Sequence, residues 1–157
     1  MNNLVMGNKK EKIFKNLLNL ITENQKLIPP MRVAEGRVIE NWIDYNNHMN
    51  MAYYVQCFEE SSDFILEHFD LGYDYATIHK KGVFVIKCEI NYKKEIKLGE
   101  KFFISLERIV FQGKKLILNL NMIDDQKKIY ADYEILNLNV DLKTKKSISF
   151  NKEDLNH

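Results

Sequence analysis

Apolar and polar positions along this chain repeat with two different periods, and the switch between them predicts the architecture. Over residues 51–69, Met51, Val55, Phe58, Ser62, Ile65 and Phe69 recur at steps of four and three, which lays them along one face of a helix. Glu59, Glu60, Asp63 and Glu67 fall on the opposite, solvated side. From Gly82 onward the step becomes two: Phe84, Ile86, Cys88, Ile90 and Tyr92 alternate with Val85, Lys87, Glu89 and Asn91, the pattern of a long strand. A second strand is expected over about Lys101–Phe111, a third through Leu116, Leu118, Leu120 and Met122, and a last over about Lys128–Leu142. Gln112-Gly113-Lys114 and Asp124-Asp125-Gln126-Lys127 read as the turns between them. An earlier strand, Val33–Glu40, leads through the polar loop Asp44–Asn50 into the helix, and Asp70–Gly82 reads as a loop with a short helical turn.

The connections between the last strands are too short for parallel crossovers, so the sheet is expected to be antiparallel. Laying the apolar helix face across one curved sheet buries both at once. The expectation is therefore an α+β domain over residues 31–157, its antiparallel sheet wrapped around a central long helix. Residues 1–30 read as an N-terminal helical appendage, because Ile13, Leu17, Leu20 and Ile21, with Leu18 beside them, fall at helical spacing. Pro29-Pro30 ends that helix, which would pack on its own domain or on a partner subunit.

Composition narrows the function classes. The 157 residues fit one domain with a real core. With 23 basic and 22 acidic residues the formal charge is +1, so no global field advertises nucleic acid, and any anionic ligand must be held by a local basic cluster. Cys57 and Cys88 sit within the expected elements among apolar neighbours, where buried thiols are expected, and two cysteines form no disulfide framework; both points suggest a reducing cytoplasm. Lys9, Lys10, Glu11, Lys12, Lys15 and Asn16 interrupt the early apolar runs, so neither a secretory signal nor a membrane span is expected.

The chemistry is concentrated in the segment from Trp42 to Tyr54. Asp44, Asn46, His48 and Asn50 place a carboxylate, amides and an imidazole immediately before the helix. Free N–H groups and the positive dipole end at a helix N-terminus suit a developing oxyanion, so the layout predicts attack on a carbonyl. Asp44 and Asn50 alone would read as a turn residue and an N-cap. Lys93, Lys94 and Lys97, and separately Lys114 and Lys115, form basic clusters for phosphates or for an acidic partner. Trp42, Tyr45, Tyr53, Tyr54 and Phe58 concentrate aromatic rings around the loop, where a quaternary ammonium group would gain cation–π stabilisation. Cys57 follows His48 on the expected helix with no orienting partner, which disfavours a Cys–His nucleophile. His68, Asp70, Asp74 and His79 match no compact metal spacing and read as a solvated loop.

Asp44-x-Asn46-x-His48-x-Asn50-x-x-Tyr53 is similar to the D-x-x-x-H-x-N-x-x-Y signature of the hot-dog acyl thioesterases. Phe58-Glu59-Glu60-Ser61 resembles the F-E-E-A/S stretch of their central helix, and Tyr92 to Glu100 resembles their Y-x-x-E-x-x-x-G-D/E segment. The agreement runs from about Val33 to Val140. Asp44, Asn46, His48 and Glu95 also fall on the positions of the catalytic groups of plant-type acyl-carrier-protein thioesterases. The longer run Asp44 to Tyr54 looks closer to bacterial betainyl-CoA thioesterases and the thioesterase domain of some carnitine dehydrogenases, although Asn47 stands where that family has Gly.

The resemblance implies a hot-dog fold and acyl-CoA hydrolysis, with an acyl-carrier-protein substrate or a non-catalytic acyl-CoA-binding module as alternatives. It implies Asp44 or Glu95 as base or nucleophile, His48 and Asn46 as orienting groups, and substrate contacts from Asn50, Tyr53, Trp42, Tyr45, Lys93 and Lys94. Glu59 is expected to be solvated or at a dimer contact, with a substitute catalytic carboxylate as the other reading. No metal or organic cofactor is implied beyond coenzyme A as part of the substrate, and a homodimer paired through the Val83–Tyr92 strand is expected.

Overall fold

The structure, a computed structural model, describes residues 16–151. Its strands are β1 (Leu18–Asn19), β2 (Met31–Arg37), β3 (Lys81–Tyr92), β4 (Lys101–Gln112), β5 (Lys115–Ile123), β6 (Ile129–Asp141) and β7 (Lys146–Ser147). The long helix α1 spans Met51–His68 and the short α2 spans Tyr73–Thr77. Every pairing is antiparallel, in the order β1-β2-β4-β5-β6-β3, with β7 alongside β6. The expected central helix in a curled sheet is thus present.

The period-two pattern explains the core. Leu116, Leu118, Leu120 and Met122 of β5, Phe102, Ile104 and Leu106 of β4, and Ala131, Tyr133 and Ile135 of β6 all project inward and are buried. Phe58 and Ile65 of α1 fill the space above them. The helix lies chiefly against β2, β4 and β5. β3 is an edge strand, and its Phe84, Val85, Ile86 and Tyr92 are exposed.

Several expectations are corrected. The described part of the N-terminal appendage is extended, not helical: β1 pairs with β2, and Leu17 drops into the core beside Gly36, where a Cβ would meet the Leu17 and Phe102 side chains at 2.5 Å. Ile13 lies outside the described residues. The first strand starts and ends earlier than Val33–Glu40, and a 3₁₀ turn at Glu40–Trp42 takes over its end. On α1 the buried stripe is rotated: Met51 is exposed while Tyr54, Cys57, Glu60 and Ser61 are buried. Glu60, expected in solvent, accepts the main-chain N–H groups of Asn16 (3.1 Å) and Leu17 (3.0 Å), and that pairing lets a carboxylate sit under the helix. Burial, opposed by those two N–H groups, raises its pKa from the ordinary 4.5. Cys88 is exposed, because no element covers β3 there; Cys57 is buried as expected.

Candidate active site

The polar loop is shaped by its own short-range chemistry. Val38 and Gly99 tie the end of β2 to the turn before β4 through Val38 N–H to Glu100 O (3.0 Å) and Gly99 N–H to Val38 O (2.9 Å). Trp42 then anchors the chain in the core, stacked on Tyr53 at 5.7 Å and packed on Phe102. An Ile43–Met49 bridge and the Asn50 N–H to Trp42 O bond (2.9 Å) close the loop. Inside it Asn47 adopts φ +65°, a left-handed conformation that Asn tolerates better than most residues and that gives a reason for Gly at this position in the related family.

Asp44 is fixed at both oxygens. Oδ1 accepts the Asn46 N–H (2.8 Å) and Oδ2 accepts the Asn50 side-chain amide (3.0 Å). The Asn50 carbonyl oxygen accepts the Ala52 N–H (3.0 Å) and so caps α1. One residue therefore joins the carboxylate to the helix N-terminus. Of the first helix amides, Ala52 is taken by the cap and Tyr53 bonds to Asn50 O (3.1 Å).

The facing wall comes from the segment after β3. The Lys93 and Lys94 N–H groups both donate to Tyr130 O (2.8 and 3.1 Å), and Met49 N–H donates to Ile96 O (3.1 Å), which sews this segment to the loop. Glu95 thereby approaches His48, with 3.8 Å between Oε1 and Nε2, and both side chains remain in contact with solvent. Tyr92 donates to Met51 O (3.2 Å) and meets Tyr54 edge to face at 5.1 Å. Burial pushes the Tyr54 hydroxyl up to about 12, so it stays protonated.

These walls enclose a cavity of about 520 Å³. Asp44, Asn46, His48, Asn50 and Glu95 border it, as do Tyr45, Lys93 and Lys94, so eight of the ten residues singled out from the sequence come together. Trp42 and Tyr53 do not: they face the core and hold the loop from behind. Tyr54, one of the rings expected around the loop, borders the cavity as well, and Met49, Met51 and Tyr92 border it without having been assigned to it; for Tyr92 the Tyr92-x-x-Glu95 spacing was the available signal. Lys93 pairs with Asp132 (3.4 Å), and Lys94 lies over the Tyr130 ring. A somewhat larger cavity, about 610 Å³, opens between residues 19–25 and the far end of α1. It adjoins the C-terminal end of α1, where the helix presents carbonyls and the negative end of its dipole, so it lacks the helix N-terminus that favours an oxyanion. Among the described residues no group of His, Cys, Asp or Glu is arranged to hold a metal ion.

A curled antiparallel sheet wrapped around one long helix is the hot-dog fold. The chain belongs to the thioesterase-like superfamily, whose family model matches residues 38–156. It is 26% identical over 120 residues to the L-carnitine dehydrogenase/betainyl-CoA thioesterase of Agrobacterium fabrum, a match covering 76% of this chain and 25% of that much longer protein. It is 28% identical over 112 residues to the long-chain acyl-CoA thioesterase FadM of Escherichia coli, covering 71% of this chain and 84% of FadM. A Staphylococcus aureus protein solved in complex with CoA shares the fold, with a TM-score of 0.74 at 20% identity over 83% of each chain.

Proposed function

We propose that this protein is an acyl-CoA thioesterase whose reaction is run by the Asp44 loop at the N-terminus of α1. The observation that carries the reading is the double anchoring of Asp44 beside a capped helix end, within the cavity that also holds His48 and Glu95. In this reading Asp44 takes a proton from water as the water oxygen attacks the thioester carbonyl. The Met51 N–H, next to the two helix amides already bonded to Asn50, donates to the oxyanion, which such a donor stabilises by ~3 kcal/mol. His48, held by Glu95, and Asn46 orient the carbonyl. Collapse of the tetrahedral intermediate breaks the C–S bond and releases the CoA thiolate, which needs little help from an acid.

In this reading Lys93 and Lys94, which line the cavity, meet the CoA phosphates. Tyr45, Tyr54 and Tyr92 supply the ring faces for a betaine-like acyl group, the role Trp42 cannot fill from the core. A homodimer paired through β3 would cover the exposed apolar edge strand. The cytoplasm fits the two unpaired cysteines, and among the described residues no helix is long and apolar enough to cross a membrane.

The test is thiol release from short, long, aromatic and betainyl acyl-CoAs. Asp44→Asn should reduce release by roughly 10²–10⁴-fold with the fold retained. Undiminished release from the variant would remove Asp44 from the mechanism, and binding without release from any acyl-CoA would turn the reading toward a carrier-protein substrate or a sensor.

A further inference from the structure

Tyr54 lies one turn into α1 and is only 4% exposed, yet it borders the active-site cavity. Helical side chains lean back toward the N-terminus, which carries this phenol toward the Asn50 cap. Two contacts fix it. Tyr92 meets the ring edge to face at 5.1 Å and is itself tied to the helix by its bond to Met51 O (3.2 Å). At the far end the main-chain N–H of Ile96 is directed at the Tyr54 oxygen. Ile96 is in turn joined to the polar loop by the Met49 N–H to Ile96 O bond (3.1 Å). The hydroxyl is thus held where the end of the loop, the start of α1 and the Glu95–Ile96 segment meet.

A phenol both donates and accepts. The Ile96 N–H uses the accepting side of Tyr54, which leaves the proton. Among the described residues no group takes it: the Glu95 carboxylate extends to His48 (3.8 Å), and the neighbouring Tyr92 hydroxyl is committed to Met51 O. A buried donor without an acceptor costs about 1–3 kcal/mol, a penalty that a ligand oxygen in the cavity relieves. Burial, joined by Tyr92, Glu95 and Tyr130 and opposed by the Ile96 N–H, keeps the proton on the oxygen at neutral pH.

The helix end has a use for such a donor. Asn50 engages the Ala52 N–H with its side chain and the Tyr53 N–H with its carbonyl, which leaves the Met51 N–H for substrate. An oxyanion accepts several hydrogen bonds, and tyrosine hydroxyls serve beside main-chain N–H groups in sites of this kind. We propose that the Tyr54 hydroxyl is a second oxyanion donor, binding the thioester oxygen together with the Met51 N–H. This rests on the thioesterase reading above and gives the hydroxyl a task separate from that of the ring face. The phenol keeps its proton throughout: its hydrogen bond strengthens as the carbonyl oxygen gains charge and weakens again when the C–S bond breaks.

The experiment follows thiol release from the acyl-CoA that the full-length wild type hydrolyses fastest. Tyr54→Phe keeps the ring and removes the donor. It should lower kcat and kcat/KM together by roughly 10²–10³-fold with KM nearly unchanged, as expected for a contact made in the transition state. Because Tyr54→Phe also deprives the Ile96 N–H of its acceptor, Tyr54→3,5-difluorotyrosine is measured beside it and decides alone should Tyr54→Phe fail to fold. The fluorines acidify the phenol and leave its oxygen in place. This variant should be active at neutral pH and lose kcat along an alkaline limb as the phenol ionises. The wild type, with its hydroxyl at about 12, should show no such limb in the same range. A Tyr54 that only accepted the Ile96 N–H would give a flat profile in both, since a phenolate accepts as well as a phenol. That flat profile, or wild-type kcat in folded Tyr54→Phe, would overturn the assignment while leaving hydrolysis itself intact. Failure of the wild type to hydrolyse any acyl-CoA is a different result: it removes the thioesterase reading, and this assignment with it.

Discussion

Asn50 performs two tasks with one side chain, and substitutions can separate them. Its carbonyl oxygen caps α1 through Ala52 N–H, while its NH₂ group holds Asp44 Oδ2. Asn50→Ser keeps a good N-cap but cannot reach Asp44 as the amide does; Asn50→Ala loses both. The cap contributes about 1 kcal/mol. The bond to the Asp44 carboxylate would contribute about 1.5–3 kcal/mol if fully buried, but Asp44 stays partly hydrated, so about 1 kcal/mol is expected. Urea unfolding should therefore show Asn50→Ser destabilised by about 1 kcal/mol and Asn50→Ala by about 2. In activity the two should behave alike, because both release Asp44: thiol release should fall by up to about 10²-fold in each, the scale of a displaced catalytic group. Wild-type activity in Asn50→Ser with only Asn50→Ala impaired would show that the cap matters and the Asp44 anchor does not.

Three further outcomes are expected. Asn47→Ala, forced to keep φ +65°, should lose roughly 1–2 kcal/mol of stability in chemical denaturation, and Asn47→Gly should not. Burial holds the Glu60 carboxyl above its ordinary 4.5, so between the unfolded and folded values the folded chain keeps a proton that the unfolded chain has released. Stability should then fall as pH rises through that window, and Glu60→Gln, measured by thermal melts across pH, should flatten the slope; an unchanged slope would contradict the buried-carboxyl argument. Lys93→Ala combined with Lys94→Ala should raise KM for acyl-CoA by about tenfold and weaken its salt dependence, with little change in kcat.

What was legible in the sequence follows from how local each determinant is. The α1 boundaries were legible because Asn50 can cap its own helix and the four-three spacing runs unbroken to Phe69. The β4–β5 and β5–β6 turns were legible because Gly113 takes positive φ at one tight reversal and the Asp124 carboxylate accepts the Gln126 and Lys128 N–H groups at the other. The appendage misled because helical spacing over a few residues carries little weight against a tertiary alternative: Leu17 gains a core site beside Gly36, and Glu60 satisfies two main-chain donors there. The alternation in β3 was real, but period alone could not say that one of its faces would be left without cover.

The site divides along the same line. Asp44, Asn46, His48 and Asn50 lie within seven residues, so their convergence needed only a loop, and the sequence showed it. Glu95 arrives from the far side of the sheet through Met49 and Ile96, and only its place in a family-like segment pointed to it. Trp42 and Tyr53 show the cost of reading chemistry from residue type: their rings are as suited to a ligand as Tyr54 and Tyr92, yet they stack on each other beneath the loop. Glu59 is the converse case, a carboxylate that looked solvated on a helical wheel. Its partner Tyr133 lies 74 positions away, and only the stacking of that ring on Phe58 brings the hydroxyl to the carboxylate. The groups proposed for hydrolysis are thus written mostly around one helix cap, whereas Glu95 and the Glu59–Tyr133 pair are brought into place only by the closure of the sheet.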